Sequence, residues 1–179
     1  MRKLSLLFVT SISILTLSAQ NKVNPLIKSY GYVYEVPNAV EKPDPKLDYK
    51  LVIDITEQAP SPDSVNESLD VVARLVNLHI LGGVPPSKLH VAVVVHNSAA
   101  FALVNDELYQ KQYKTSKGNP NLPLVKALHD AGVEIFICGQ TMAKRKIDAS
   151  ALSPEVKVSL SALTAITTHQ MKGYALMKL

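Results

Sequence analysis

Tryptophan is absent from this 179-residue chain, cysteine occurs once, and charged residues make up only 19% of it. A single thiol cannot close an intrachain disulfide, so a disulfide-stapled scaffold is excluded. One cysteine and five scattered histidines offer no CxxC, HExxH or zinc-finger spacing, which removes a zinc module. No GxGxxG follows an apolar run and no GKS or GKT occurs, so dinucleotide and P-loop binding have no support. The net charge is small, formally +4, on lysines spread along the chain without aromatic interleaving. That pattern gives nucleic acid no electrostatic footprint. What is present, 47% hydrophobic residues with 11 prolines, describes one ordinary globular domain rather than a disordered, collagenous or coiled-coil chain.

The first 19 residues form a distinct unit. Arg2 and Lys3 precede an apolar stretch from Leu4 to Leu17 broken only by serine and threonine, and Ser18-Ala19 then leads into polar Gln20-Asn21-Lys22. This is the pattern of a secretory signal peptide with a small-residue cleavage site. A membrane span needs roughly 20 apolar residues, and this segment is shorter and rich in hydroxyls. No cysteine follows it, so a lipoprotein anchor there has no attachment residue. Cleavage after Ala19 also removes two of the positive charges. The expected product is a soluble exported protein without a membrane anchor, periplasmic in a Gram-negative cell.

Residues 20–47 are proline-rich and aperiodic, with Pro25, Pro37, Pro43 and Pro45 and the cluster Tyr30, Tyr32, Tyr34. They are expected to form an extended arm that packs on its own domain or on a neighbour. From residue 48 to the end, strand and helix signals alternate. Tyr49 to Ile55 is a β-branched run. Ser64-Val65-Asn66-Glu67 has the form of a capping box, and Val65, Leu69, Val72, Val76 and Ile80 follow at helical spacing until Gly82-Gly83. Leu89 to Val95 is almost continuously apolar, as in a strand buried on both faces of a parallel sheet. Helices are expected over Asn105 to Tyr113 and Asn121 to Ala131, then a strand from Val133 to Ile137. A short polar helix carrying Lys144-Arg145-Lys146 comes next, with a break near Pro154. Val156 to Leu160, Ala162 to Met171 and Tyr174 to Met177 complete the alternation as strand, helix, strand. The connections are too long for hairpins, so the architecture is a three-layer α/β/α domain around a mostly parallel sheet of about five strands, with the strand order left open.

Ligands in such sheets sit outside the carboxyl ends of the strands. The candidates are therefore Asp54 to Glu57, His96 to Ser98, Cys138 to Thr141 and Ser159 to Ser161. Cys138 stands where a strand turns into a helix, and backbone amides there favour a thiolate. Such a thiolate can hold sulfane sulfur as a persulfide, which needs one cysteine, whereas dithiol cycling needs two. A packed, inert Cys138 is the competing reading. His96 ends the neighbouring strand as a base or donor for Cys138, or as a hydrogen-bonded structural residue. A metal site on Cys138 and His96 would have only two ligands without a local pair, and nothing calls for a cofactor. His79 and His169 fall beside apolar stripes and are assigned to packing, His90 and His129 to the surface, and the basic tripeptide to a solvated helix face.

The stretch Lys88 to Ser98 ending Val-Val-Val-His-Asn, together with Leu124 to Cys138 and then Gly139-Gln140-Thr141-Met142, resembles the DsrE/DsrF-like proteins. The tail, Leu152-Ser153-Pro154-Glu155-Val156 and Gln170-Met171-Lys172-Gly173-Tyr174, is similar to the end of that family's domain. The resemblance covers roughly residues 48 to 179, with Asn97 where a glycine is expected. It implies a DsrE-like α/β sandwich assembled as a trimer or hexamer. It also implies a sulfur-relay chemistry, at most sulfurtransferase-like, with sulfur carried on Cys138 and His96, Asn97, Gly139, Gln140 and Thr141 in support. A donor or acceptor protein would be the partner. The alternative is a non-catalytic oligomeric module that binds a small ligand in the same crevice.

Overall fold

The computed structural model describes residues 21–179; the signal-peptide segment lies outside them. Five strands form one parallel sheet: β3 (Tyr49–Ile55), β4 (Leu89–Val95), β5 (Glu134–Cys138), β6 (Val156–Ser159) and β7 (Ala175–Lys178), in the order β6-β5-β4-β3-β7. The chain thus steps from β3 through β4 and β5 to β6 in one direction, then returns past β3 to place β7 on the far edge. Crossovers between parallel strands keep one hand, so steps in one direction put their helices on one face and the return puts its helix on the other. The result is uneven. Helices α1 (Glu67–Leu81), α2 (Asp106–Tyr113), α3 (Leu122–Asp130) and α4 (Gly139–Arg145) belong to the forward steps, and only α5 (Ala162–Met171) belongs to the return.

Alternation along the strands sorts the core accordingly. Ile53, Ile55, Val91, Val93, Val95, Ile135 and Ile137 point to the forward face, where they pack with Leu69, Val72 and Val76 of α1 and Leu124, Val125 and Leu128 of α3. Val52, Ala92, Val94 and Cys138 point to the return face and meet Ala162 of α5. Both faces of the central strands are buried, which is why their sequences are nearly continuous apolar runs.

Two local expectations are corrected. The N-cap of α1 is Asn66, whose side chain accepts from the amide of Leu69, and Glu67 is the first helical residue. Ser64 instead closes a turn through its amide to the carbonyl of Ser61, so the capping-box spacing is coincidental. Residues Asn97–Leu103, assigned to no element above, form a 3-10 turn in which Ala99 to Leu103 are all buried. Its carbonyls at Phe101 and Ala102, and that of Val104, are gathered by the side-chain amide of buried Asn119. An irregular buried segment needs such a partner, because an unpaired buried carbonyl is costly.

The arm is folded rather than simply extended. β1 (Lys22–Val23) and β2 (Val33–Tyr34) pair antiparallel, and the loop between them lies on α1 of the same chain. Asn77, fully buried in α1, accepts from the amides of Leu26 and Ile27 and donates to the carbonyls of Ile27, Tyr30 and Gly31. Gly31 has φ +61°, and a Cβ there would lie 2.2 Å from the amide nitrogen of Arg74, so only glycine permits this approach. No helix among the described residues is long and apolar enough to cross a membrane.

Candidate functional site

In an open α/β sheet a crevice forms where loops from adjacent strands leave to opposite faces. Here that point lies between β5 and β6. The chain leaving β5 enters α4, whose Met142 packs into the forward core, whereas the chain leaving β6 enters α5 on the return face. Cys138 is the last residue of β5, paired in register with Ser159 of β6, and so stands at that divergence. Gly139 makes the fit feasible: a Cβ there would meet the carbonyl oxygen of Ser159 at 2.7 Å.

The sulfur is buried, with Cys138 only 4% exposed. The amide of Ala162, first residue of α5, donates to Sγ at 3.2 Å. Burial pushes the thiol up. Against it act the amide of Ala162, the amide and hydroxyl of Thr141 and the amide of Gln140, and together they hold Cys138 below the ordinary thiol range. A neutral thiol gains little from that set of donors and a thiolate gains from all of them. Thr141 is fixed in turn, since its oxygen accepts from the amide of Asn97 at 3.3 Å, leaving the hydroxyl proton for the sulfur. Asn97 has φ +53°, in the left-handed region where glycine is favoured and asparagine is the best-tolerated substitute. The residue that stands where a glycine is expected therefore occupies a backbone conformation that glycine favours.

His96 is partnered on its other side. Its Nε2 lies 2.7 Å from Oδ1 of Asp54, both side chains being mostly buried, and its own amide donates to the carbonyl of Ile55. No hydrogen bond joins His96 to Cys138 in the structure. Asp54 is the polar residue in an otherwise apolar strand interior, facing the same side as Val52 and Val94. That parity was visible in the sequence, but its pairing with a residue 42 positions away depends on strand register. Ser98 Oγ donates to the carbonyl of Thr56, Ser159 Oγ to that of Ile137, and Gln140 Nε2 to that of Leu160, so these strand-end residues bind their own loops. Ser161 caps α5.

His169 is buried between the rings of Phe136 and Tyr174, with Nδ1 on the carbonyl of Ala165. His79 bonds the carbonyl of Leu75 and touches the ring of Tyr49. Lys144, Arg145 and Lys146 are exposed. No group of three or more His, Cys, Asp or Glu among the described residues could hold a metal ion. Sequence reasoning missed a cavity of about 130 Å³ lined by Pro60, Pro62, Ser98, Ala102, Tyr109 and Tyr113. It lies on the forward side of the sheet, away from Cys138.

The match to known structures follows this geometry. A protein of unknown function, MTH1491 from Methanobacterium thermoautotrophicum, is 22% identical with a TM-score of 0.54, covering 74% of this chain and 100% of its own. The ychN protein from E. coli is 16% identical with a TM-score of 0.53, covering 73% of this chain and 99% of its own. At these identities the likeness shows a shared fold. No curated protein matches. The model of the DsrE/DsrF-like family matches residues 50–179, which takes in all five strands of the sheet save Tyr49 and every residue of the Cys138 crevice, and the chain belongs to that family.

Proposed function

We propose that this protein takes up sulfane sulfur as a persulfide on Cys138 and passes it to a protein acceptor, working as a carrier outside the cytoplasm. The observation that carries the reading is the buried Sγ at the strand-end divergence, which accepts from the amide of Ala162 at 3.2 Å and is held below the ordinary thiol range by that amide together with Thr141 and Gln140. Family membership points the same way, toward sulfur chemistry. In loading, the Cys138 thiolate attacks the outer sulfur of a donor persulfide, forming the Sγ–S bond and releasing the donor as a thiolate; in delivery, an acceptor thiolate attacks that outer sulfur and Cys138 leaves as thiolate. Neither step changes the net oxidation state, so one cysteine is enough.

The setting belongs to the same proposal. The leader pattern supports export, and an unpaired thiol in an oxidising compartment needs the shelter that Cys138 has. Homo-oligomeric assembly, as a trimer or hexamer, is supported by the apolar rim beside the site, where Val158 is 52%, Leu160 75% and Leu163 78% exposed.

The 4% exposure of Cys138 favours a second reading, a binding module in which the thiol is packed. Alkylation of the native protein across pH, with intact mass before and after polysulfide, separates the two. A carrier alkylates with an apparent pKa below about 8.5 and gains one sulfur mass, lost in Cys138→Ser. Slow alkylation until the protein unfolds, with no mass gain, would leave the binding module.

A further inference from the structure

We propose that His96, oriented by Asp54, is the general acid that protonates the thiolate leaving the sulfur donor, so that the polar ends of three neighbouring strands divide the work of sulfur loading. The inference rests on the persulfide reading above and adds two residues with distinct roles to it.

The placement comes from register and parity. Asp54, His96 and Cys138 belong to β3, to the end of β4 and to β5, which are consecutive in the sheet. The last paired residues of β4 and β5 are Val95 and Ile137, so His96 and Cys138 are the next residues on each strand, about one strand spacing of 4.8 Å apart along the backbone. His96 keeps an extended backbone, with φ −149° and ψ −174°, and so continues the alternation that puts Val94 and Cys138 on the return face. Asp54 shares that parity with Val52. His96 is thus flanked by a carboxylate on one side and the sulfur on the other. Its Nε2 is committed to Asp54 at 2.7 Å, while Nδ1 bonds to none of the described residues. A histidine with one nitrogen held by a carboxylate and the other free is the arrangement that fixes a tautomer and leaves one nitrogen for proton transfer.

The chemistry has a place for that proton. Against the upward push of burial, the amides of Ala162, Thr141 and Gln140 lower the Cys138 thiol and so favour the attacking thiolate. The departing group does need an acid, because an alkyl thiolate is basic near neutral pH. Cys138–S⁻ attacks the outer sulfur of R–S–SH, the Sγ–S bond forms, the S–S bond of the donor breaks and R–S⁻ departs with its electron pair. The imidazolium of His96 then gives its proton to R–S⁻ to release R–SH, and solvent restores the proton on His96. Asp54 is a positioning residue that holds the ring through its contact with Nε2. The same side carries further titratable side chains: Lys178 of β7, in register with Asp54; His169 of α5, buried between the rings of Phe136 and Tyr174 with Nδ1 on the carbonyl of Ala165; Tyr174 itself; and the ion pair of Lys157 with Glu134 beside Phe136. α5 also brings Ala162, Ala165 and Ile166, which do not titrate.

Two reagents separate leaving-group protonation from thiol reactivity. Glutathione persulfide expels a basic thiolate, whereas iodoacetamide expels iodide, which needs no proton. Single-turnover loading of the full mature protein by glutathione persulfide, followed by intact mass across pH, should slow by about a hundredfold or more in His96→Gln and lose the limb contributed by the imidazole. Asp54→Asn should fall between wild type and His96→Gln with the same change of profile, and iodoacetamide should alkylate Cys138 equally fast in all three. Loading of His96→Gln at the wild-type rate and profile overturns the proposal while the persulfide reading stands. So does a parallel loss of loading and alkylation, which would mean a disturbed pocket. A wild-type protein that gains no sulfur removes both. Should neither variant fold, the wild-type profiles decide alone: loading must show a limb that alkylation lacks, and identical profiles overturn the proposal.

Discussion

The two faces of the sheet are built to different standards. The forward face carries the helices of three crossovers and a 3-10 turn, and its cluster takes in most of the buried apolar residues; the return face is roofed by α5 alone, over Val52, Ala92, Val94 and Cys138. The chemistry-bearing side chains Asp54, His96 and Cys138 all sit on the thin side. On the proposed function, stability and reactivity fall on opposite faces of the same strands, and the sulfur is covered by the first turn of α5 rather than by the larger core.

This division can be attacked where its effect is largest. Leu128→Ala, at a fully buried position of α3, should cost about 2–5 kcal/mol in urea unfolding. Leu176→Ala, half-buried on the return side, should cost about 1 kcal/mol; equal costs would end the idea of unequal layers. Next comes the arm, which braces the forward helices from outside. Asn77→Ala leaves the amides of Leu26 and Ile27 and the carbonyl of Gly31 without their partner, while the carbonyls of Ile27 and Tyr30 keep Asn24, and should lose about 1–3 kcal/mol, with early cleavage between residues 24 and 40 in limited proteolysis. On the thin side the expected effects are chemical before they are energetic. Thr141→Val removes the hydroxyl from Sγ and should move the alkylation midpoint of Cys138 up toward the ordinary thiol value, at a stability cost of about 1 kcal/mol.

The smallest effects are pH dependences of opposite sign. Cys138 is held low in the folded protein despite its burial, so ionised sulfur stabilises the native state. That contribution is complete above the unfolded thiol value of about 8.5 and fades as pH falls through the lower folded value. The gap in urea midpoint between wild type and Cys138→Ser should accordingly widen as pH rises toward that range. Tyr109, on the forward face, is pushed up to about 12, by burial first and then by Tyr113 and Asp63. Its contribution is complete below the unfolded value of about 10 and is lost as pH climbs toward 12. Tyr109→Phe should remove that alkaline decline.

Much of the return-face site was legible because strands buried on both sides announce themselves. Leu89 to Val95 and Val133 to Ile137 read correctly as β-branched apolar runs, and the residues just beyond them, His96 and Cys138 to Thr141, follow directly. The Asp54–His96 pair was not legible, since register between distant strands leaves no mark on either segment. Nor was the turn over Asn97–Leu103, whose run of alanines, phenylalanine and leucine has neither helical nor strand period and is buried on every side. Ser64 misled because a cap is set by where the helix begins, and the turn at Ser61 to Ser64 delays that start to Glu67. β1 and β2, at two residues each, are shorter than any pattern can register.

The return of the chain past β3 has a consequence in time. Ribosomes deliver the N-terminal part of a domain first, and α5 and β7 are the last elements to exist. The forward layer has its complete sequence before the roof over Cys138 does, so during synthesis the sulfur exists before the Ala162 amide that donates to it. Under the proposed export, a chain whose α5 docked late would pass through an interval in which its thiol is formed but unsheltered, and the rate of that docking would set the length of the interval.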